Sequence, residues 1–171
     1  MPEFRDPLRM LQPFARFILQ GGPSARAAAG RAFGVALPEM ACRANSAGPR
    51  SALWLGPDEY LLLAPEGDAE RVAAEIGIAM SGIAHSLVDI SDRQVGIALA
   101  GPAARDILCQ GCPLDLDPAE FTVGACTRTI FAKAEVVLWR RSAEEYHLEV
   151  GRSFSGYVRG WMQESIRGGL S

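Results

Sequence analysis

Only one of the 17 basic residues is a lysine, Lys133, and the chain of 171 residues has two histidines and four cysteines. Each shortage removes a class of function. Cys42, Cys109, Cys112 and Cys126 are too few and too unevenly spaced for a secreted disulfide framework. Cys109 and Cys112 form a lone C-x-x-C, and without a second pair or a pair of histidines they leave half of a structural zinc shell empty. They read as packing cysteines at a helix end, and no metal is expected. No G-x-G-x-x-G occurs, so a dinucleotide-binding strand-loop-helix is excluded. No run approaches the roughly 20 apolar residues of a membrane span, and the opening M-P-E-F-R-D-P-L-R-M-L-Q-P lacks an apolar signal core, which sets a cytoplasmic expectation. With a net charge of -3 and dispersed positive residues, nothing favours nucleic acid. Arginine replaces lysine almost throughout, a bias that genome composition explains as well as contact chemistry does.

The 49% hydrophobic and 22% charged composition suits a globular chain able to bury a core. Its clearest local signals lie between Ser86 and Pro118. Val95, Ile97 and Leu99 alternate with Gly96, Ala98 and Ala100, a strand with one bulky face and one bare face against which a helix is expected to lie. Gly101-Pro102 ends the strand, Ala104, Ile107 and Leu108 recur at helical spacing, and Gly111 and Pro113 stop the helix.

The first half repeats that order. Met1 to Pro13 reads as an N-terminal arm (1–13) that packs against something else. Phe14 to Gln20 is a strand, Gly22-Pro23 opens a helix that Gly34 closes, and Met40 to Arg50 is a loop. Ala52 to Leu55 and Tyr60 to Ala64 form a hairpin around G-P-D-E, and Asp68 caps a helix through Met80. Gly22-Pro23 matches Gly101-Pro102, Leu53-Trp54 matches Leu138-Trp139, and Asp58-Glu59-Tyr60 matches Glu144-Glu145-Tyr146. The reading is a single α+β domain over 14–171, built of two pseudo-repeated β-α-β-β-α units, about 14–82 and 86–168. They share a mainly antiparallel sheet, with Trp54 and Trp139 in equivalent places. Ile97, Leu99, Ile107, Leu108, Val137, Leu148 and Val150 are the expected core.

V-D-I-S-D-R, G-I-A-L-A-G-P-A-A-R-D-I-L, G-C-P-L-D-L-D-P, G-A-C-T-R-T-I-F-A-K-A-E-V-V-L-W and E-E-Y-H-L-E-V-G together resemble the gamma subunit family of heterotetrameric sarcosine oxidase. That family is similar to the folate-binding domain of the glycine-cleavage T-protein, an aminomethyltransferase. The resemblance implies a T-protein-like fold and membership of a complex that oxidatively demethylates sarcosine to glycine and passes the one-carbon unit to tetrahydrofolate. It also implies alpha, beta and delta partner subunits, with flavins, NAD and tetrahydrofolate on those partners and no cofactor in this chain.

The T-protein resemblance places an acidic pair at Ala134-Glu135 and an asparagine at Gly151. One acid and the amide are therefore missing, and the chain is expected to contribute no catalytic, cofactor-binding or metal-binding residue of its own. Asp89 and Asp92, which flank Ser91, read as turn acids rather than an acid-base pair. His85 and His147 read as surface or interface residues. The leading function is a non-catalytic structural and assembly subunit. The alternative is a stand-alone folate-binding, aminomethyltransferase-like one-carbon protein. A relative acting in iron-sulfur cluster assembly would carry K-G-C-Y-x-G-Q, which is absent.

Overall fold

A computed structural model describes residues 6–168; the first five residues of the expected arm and the last three of the chain lie outside it. The chain divides into two compact units, Pro13–Asp92 and Arg93–Ser171 with Met1–Gln12. In chain order the strands and helices are β1 (Leu8–Met10), β2 (Phe14–Gln20), α1 (Pro23–Phe33), β3 (Ala44–Ala47), β4 (Arg50–Gly56), β5 (Glu59–Pro65), α2 (Ala69–Ala79), β6 (Ser86–Asp89), β7 (Gln94–Ala100), α3 (Ala104–Cys109), β8 (Cys126–Phe131), β9 (Ala134–Arg140), β10 (Glu145–Gly151) and α4 (Ser155–Gly168). The strands form two antiparallel sheets of five, β3-β4-β5-β2-β6 and β1-β7-β10-β9-β8, so the expected shared sheet is two sheets.

Each unit runs strand, helix, three strands, short 3₁₀ turn and helix, one strand more than expected. The additional strands are β3, inside a segment whose Asn, Gly and Pro read as loop, and β8. In both units the turn after the first strand is tied to the turn before the last, Gly21 N–H to Asp58 O and Gly101 N–H to Glu144 O, each 2.9 Å. The fifth strand of each sheet lies outside that run. The expected arm supplies β1, which pairs Leu8 with Leu99 and buries Leu8, while β6 pairs with β2 and moves the boundary from 82–86 to Asp92.

Ile97 and Leu99 join Ile107, Leu108, Val158 and Met162 in one core, so the helices cover the bulky face of β7 rather than the bare one. All seven expected core residues are buried. The other unit has its own core, with Phe17, Leu19, Phe33, Tyr60, Val72 and Ile76. α1 starts with Pro23 in its first turn and stops at Gly34, whose φ of 75° is the left-handed conformation that glycine adopts without penalty. Pro102, by contrast, lies in a turn ahead of α3, where Ala104 N–H reaches Gly101 O at 3.0 Å.

Trp54 and Trp139 are not equivalent. Trp54 stands opposite Tyr60 and Trp139 opposite His147, whereas Arg140 stands opposite Tyr146. Matching Tyr60 to Tyr146 therefore matches Trp54 to Arg140. A slip of one residue reverses the face, so Trp54 packs on its helix-side core and Trp139 points to the opposite face.

Asp68 does not cap α2 with its side chain. Its carboxylate instead receives Arg71 at 2.8 Å and Arg50 at 3.0 Å, and these hydrogen bonds hold it below the usual carboxylate range. A depressed folded-state pKa adds stability that is present above the unfolded value of about 3.9 and lost as pH falls through the folded one. Asp68→Asn should therefore melt below wild type at pH 7. The gap should close as pH drops below about 4 in calorimetric scans of both proteins. Gly111 offers a separate check, because a Cβ there would sit 2.8 Å from the ring of fully buried Phe131. Gly111→Ala should cost about 1–3 kcal/mol by overpacking, read from urea unfolding midpoints.

Candidate functional site

Strand register assembles a polar surface on the β7-β10-β9-β8 sheet, opposite its helices. Tyr146, Leu148 and Val150 of β10 belong to the helix-side core, so the alternation sends His147 and Glu149 to the other face. His147 shares its row with Ala98 and Trp139, and Glu149 shares the next with Gly96, Val137 and Arg128. The row beyond contains Gln94, opposite Gly151, and Glu135, opposite Ile130.

His147 and Glu149 are both buried, at 2% and 1% exposure, and Nε2 lies 2.7 Å from Glu149 Oε1. The Trp139 ring lies over the imidazole with centroids 5.6 Å apart. Gly96 explains the bare face of β7: a Cβ there would lie 3.2 Å from both His147 Nε2 and Glu149 Oε1 and 3.0 Å from Leu11. The pair and the end of the N-terminal segment occupy the space that larger side chains would fill.

Beside this pair is a cleft of about 470 Å³ lined by Gln94, Arg128, Thr129, Ile130, Glu135, Val136, Val137 and Glu149. Gln94 Oε1 is buried there without a hydrogen-bond partner. Glu135 and Arg128 are exposed at its rim. The expected acidic pair is thus one exposed acid beside the buried methyl of Ala134, and Gly151 brings no amide.

The other sequence candidates lie elsewhere. Asp89 Oδ1 accepts from Ser91 N–H at 2.8 Å and Ser91 Oγ at 2.6 Å, the turn role expected of it. His85 is exposed, with Nδ1 2.7 Å from Ile83 O. Cys112 is buried with Sγ 3.9 Å from Thr129 Oγ1, whereas Cys109 is exposed and packing around its sulfur pushes the thiol pKa up. Among the described residues no group of three or more His, Cys, Asp or Glu side chains could hold a metal, and no helix is long and apolar enough to cross a membrane. Sequence reasoning gave His147 a surface or interface role, read Gly96 only as part of a bare strand face, and passed over Gln94 and Glu149. The alternation Y-H-L-E-V against G-I-A carried the signal.

Residues 20–167 match the model of the sarcosine oxidase, gamma subunit family. The chain belongs to that family. It is 33% identical over 146 residues to a sarcosine oxidase subunit gamma from Arthrobacter sp., covering 85% of this chain and 71% of the relative. Among solved structures, heterotetrameric sarcosine oxidase from Corynebacterium sp. U-96 in complex with pyrrole 2-carboxylate has a chain that is 30% identical. It superposes with a TM-score of 0.88 over 94% of this chain and 83% of that one. The glycine cleavage system aminomethyltransferase T from Bartonella henselae matches at TM-score 0.70 and 14% identity, over 91% of this chain and 44% of its own, and shares the fold. The gamma-family chain thus has the expected T-protein-like architecture.

Removing one partner of a buried pair strands the other. Glu149→Leu should destabilise the protein by about 3 kcal/mol, while the double substitution His147→Leu, Glu149→Leu should lie closer to wild type than either single change. Urea denaturation of the four proteins measures both.

Proposed function

We propose that the chain is a non-catalytic structural and assembly subunit of a heterotetrameric sarcosine oxidase, a cytoplasmic complex that oxidatively demethylates sarcosine. In this reading it contacts subunits of the alpha, beta and delta types. Those partners carry the flavins, NAD and tetrahydrofolate, and they pass the one-carbon unit to the folate. The observation that carries the proposal is the match along 94% of the chain to a chain of a solved heterotetrameric sarcosine oxidase. The residues of this chain agree with it. Buried Ala134 and side-chainless Gly151 stand where the T-protein resemblance places an acid and an amide, and Asp89 is engaged in a turn. The stand-alone folate enzyme is the weaker reading for the same reason, since proton transfer to a folate-bound fragment needs a positioned acid or base.

The test is reconstitution. The isolated chain should be colourless, should not oxidise sarcosine and should not bind tetrahydrofolate strongly, while co-expression with the three partner subunits should yield a stable oxidase. Asp89→Asn and Asp92→Asn should leave turnover of the assembled complex nearly unchanged, because losing a proton-transfer group costs about 100-fold to 10,000-fold and losing a turn acid does not. Exposed aromatics are the candidate anchors: Phe154, in the 3₁₀ turn before α4, and Tyr157, in the first turn of α4, are 51% and 41% exposed. Truncating them to alanine should weaken assembly by about 2 kcal/mol if they are hot spots, measured by analytical ultracentrifugation. A large turnover loss in an assembled aspartate variant would return the function to the folate enzyme.

A further inference from the structure

The two units place different chemistry at matching positions of their sheets. With Tyr60 matched to Tyr146 in register, His147 corresponds to Leu61 and Glu149 to Leu63, and both leucines are buried. An apolar pair therefore satisfies this fold at these positions. The unit of β7 to β10 instead buries an imidazole and a carboxylate, and it adds Gln94 with an unpartnered buried Oε1 beside a cleft of about 470 Å³. Burying polar groups lowers stability unless something satisfies them, and an orphaned amide oxygen has lost hydration that nothing in the protein replaces. Gly151, opposite Gln94, brings no side chain to the row leading to Glu135. Its volume lies in the range of small-molecule sites, which span about 300–1,000 Å³.

We propose that this cleft binds a small organic cation bearing N–H donors, an ammonium or amidinium, through Gln94 Oε1 and the Glu135 carboxylate. Both of those groups accept hydrogen bonds in the state described here, so the complementary ligand group is a donor. Glu149, buried and hydrogen-bonded to His147, forms part of the cleft wall. Val137 and Ile130 supply apolar contact for the remainder of the ligand. Arg128 lines the cleft too, diagonal to Glu135 across β8 and β9, and confines the cationic end of the ligand to the Gln94 and Glu135 side. This site is additional to the assembly role and is tested on the full chain alone.

Benzamidine is the probe, and benzoate, of the same shape and opposite charge, is the control. In ¹H–¹⁵N NMR titrations of the full chain, benzamidine should give saturable shifts at the Gln94 side-chain amide and at Ile130, Glu135 and Val137, and benzoate should not. Gln94→Leu should weaken benzamidine binding at least about tenfold, the size expected for a charge-assisted hydrogen bond, and should raise the melting temperature because the orphaned oxygen is gone. Glu135→Gln, at an exposed position, should weaken binding similarly without altering the melting temperature. Binding lost with stability gained separates a ligand role from a packing role. The proposal is overturned if benzamidine produces no saturable shift by about 10 mM, if benzoate binds as well, if the shifts map away from the cleft, or if both variants bind like wild type.

Discussion

The placement of every buried group in the β7-β10-β9-β8 sheet depends on the register of β10. Leu148 stands between Ile97 and Leu138, and Glu149 stands between Gly96 and Val137. Because side chains alternate with a period of two, fixing that one strand fixes which residues meet α3 and α4 and which meet the cleft. Apolar burial enforces it, since a slip of one residue would turn Tyr146, Leu148 and Val150 away from Ile107, Leu108, Val158 and Met162. The polar face is thus positioned by the hydrophobic face behind it.

The register is held at its ends by arginines. Arg140, buried at the end of β9, donates Nη1–H to Phe121 O at 2.7 Å, Nη2–H to Ala143 O at 2.9 Å and Nε–H to Ser142 O at 3.3 Å, with its guanidinium over the Tyr146 ring. That one side chain closes the β9 to β10 turn and fastens the loop before β8. In the other unit, Arg50 donates to Phe33 O at 2.8 Å and Asp68 at 3.0 Å while stacking on Phe33, joining the end of α1 to the start of α2. A lysine ammonium could neither spread donors over several carbonyls in one plane nor stack a flat face on a ring. The scarcity of lysine therefore has a structural use at these two positions, beyond the compositional cause that sufficed for the sequence.

What was legible in the sequence was whatever depends on local chemistry. Pro23 and Gly34 bracket α1, the alternation of β7 exposes its strand, and Asp89-Ile90-Ser91 forms the turn its residues favour. What escaped depends on partners distant in sequence. Leu8–Met10 is too short and too proline-flanked to look like a strand, and becomes one because β7 offers an edge. β3 is likewise made by β4, which pairs Ala44 with Leu53. The family resemblance was carried by motifs and held, but the equivalence of the two tryptophans failed. Trp139 sits one residue further from Tyr146 than Trp54 does from Tyr60, a shift that a motif match absorbs and that decides the face. His147 was read as surface or interface for a related reason: alternation correctly sent it away from the helix-side core, and only the tertiary structure reveals that the second face is buried around His147 and Glu149.

The origin of β1 constrains how the chain can complete its second sheet. Pro13–Asp92 is contiguous and contains every strand of its sheet, β6 included, so it can close on its own residues. The other unit cannot, because β1 precedes Pro13 and its partner β7 begins at Gln94. The intervening unit is therefore a folded insertion between two neighbouring strands. Closing a flexible loop of that length carries an entropy cost that grows only logarithmically with length, and an insertion already folded lowers it by fixing most of the intervening residues. β1 can pair only where β7 offers its edge, so this sheet is complete only when the two ends of that insertion meet. Leu11, which follows β1, lies against Gly96 beside the His147–Glu149 pair. The N-terminal segment thus helps to enclose the polar face from which the cleft is built.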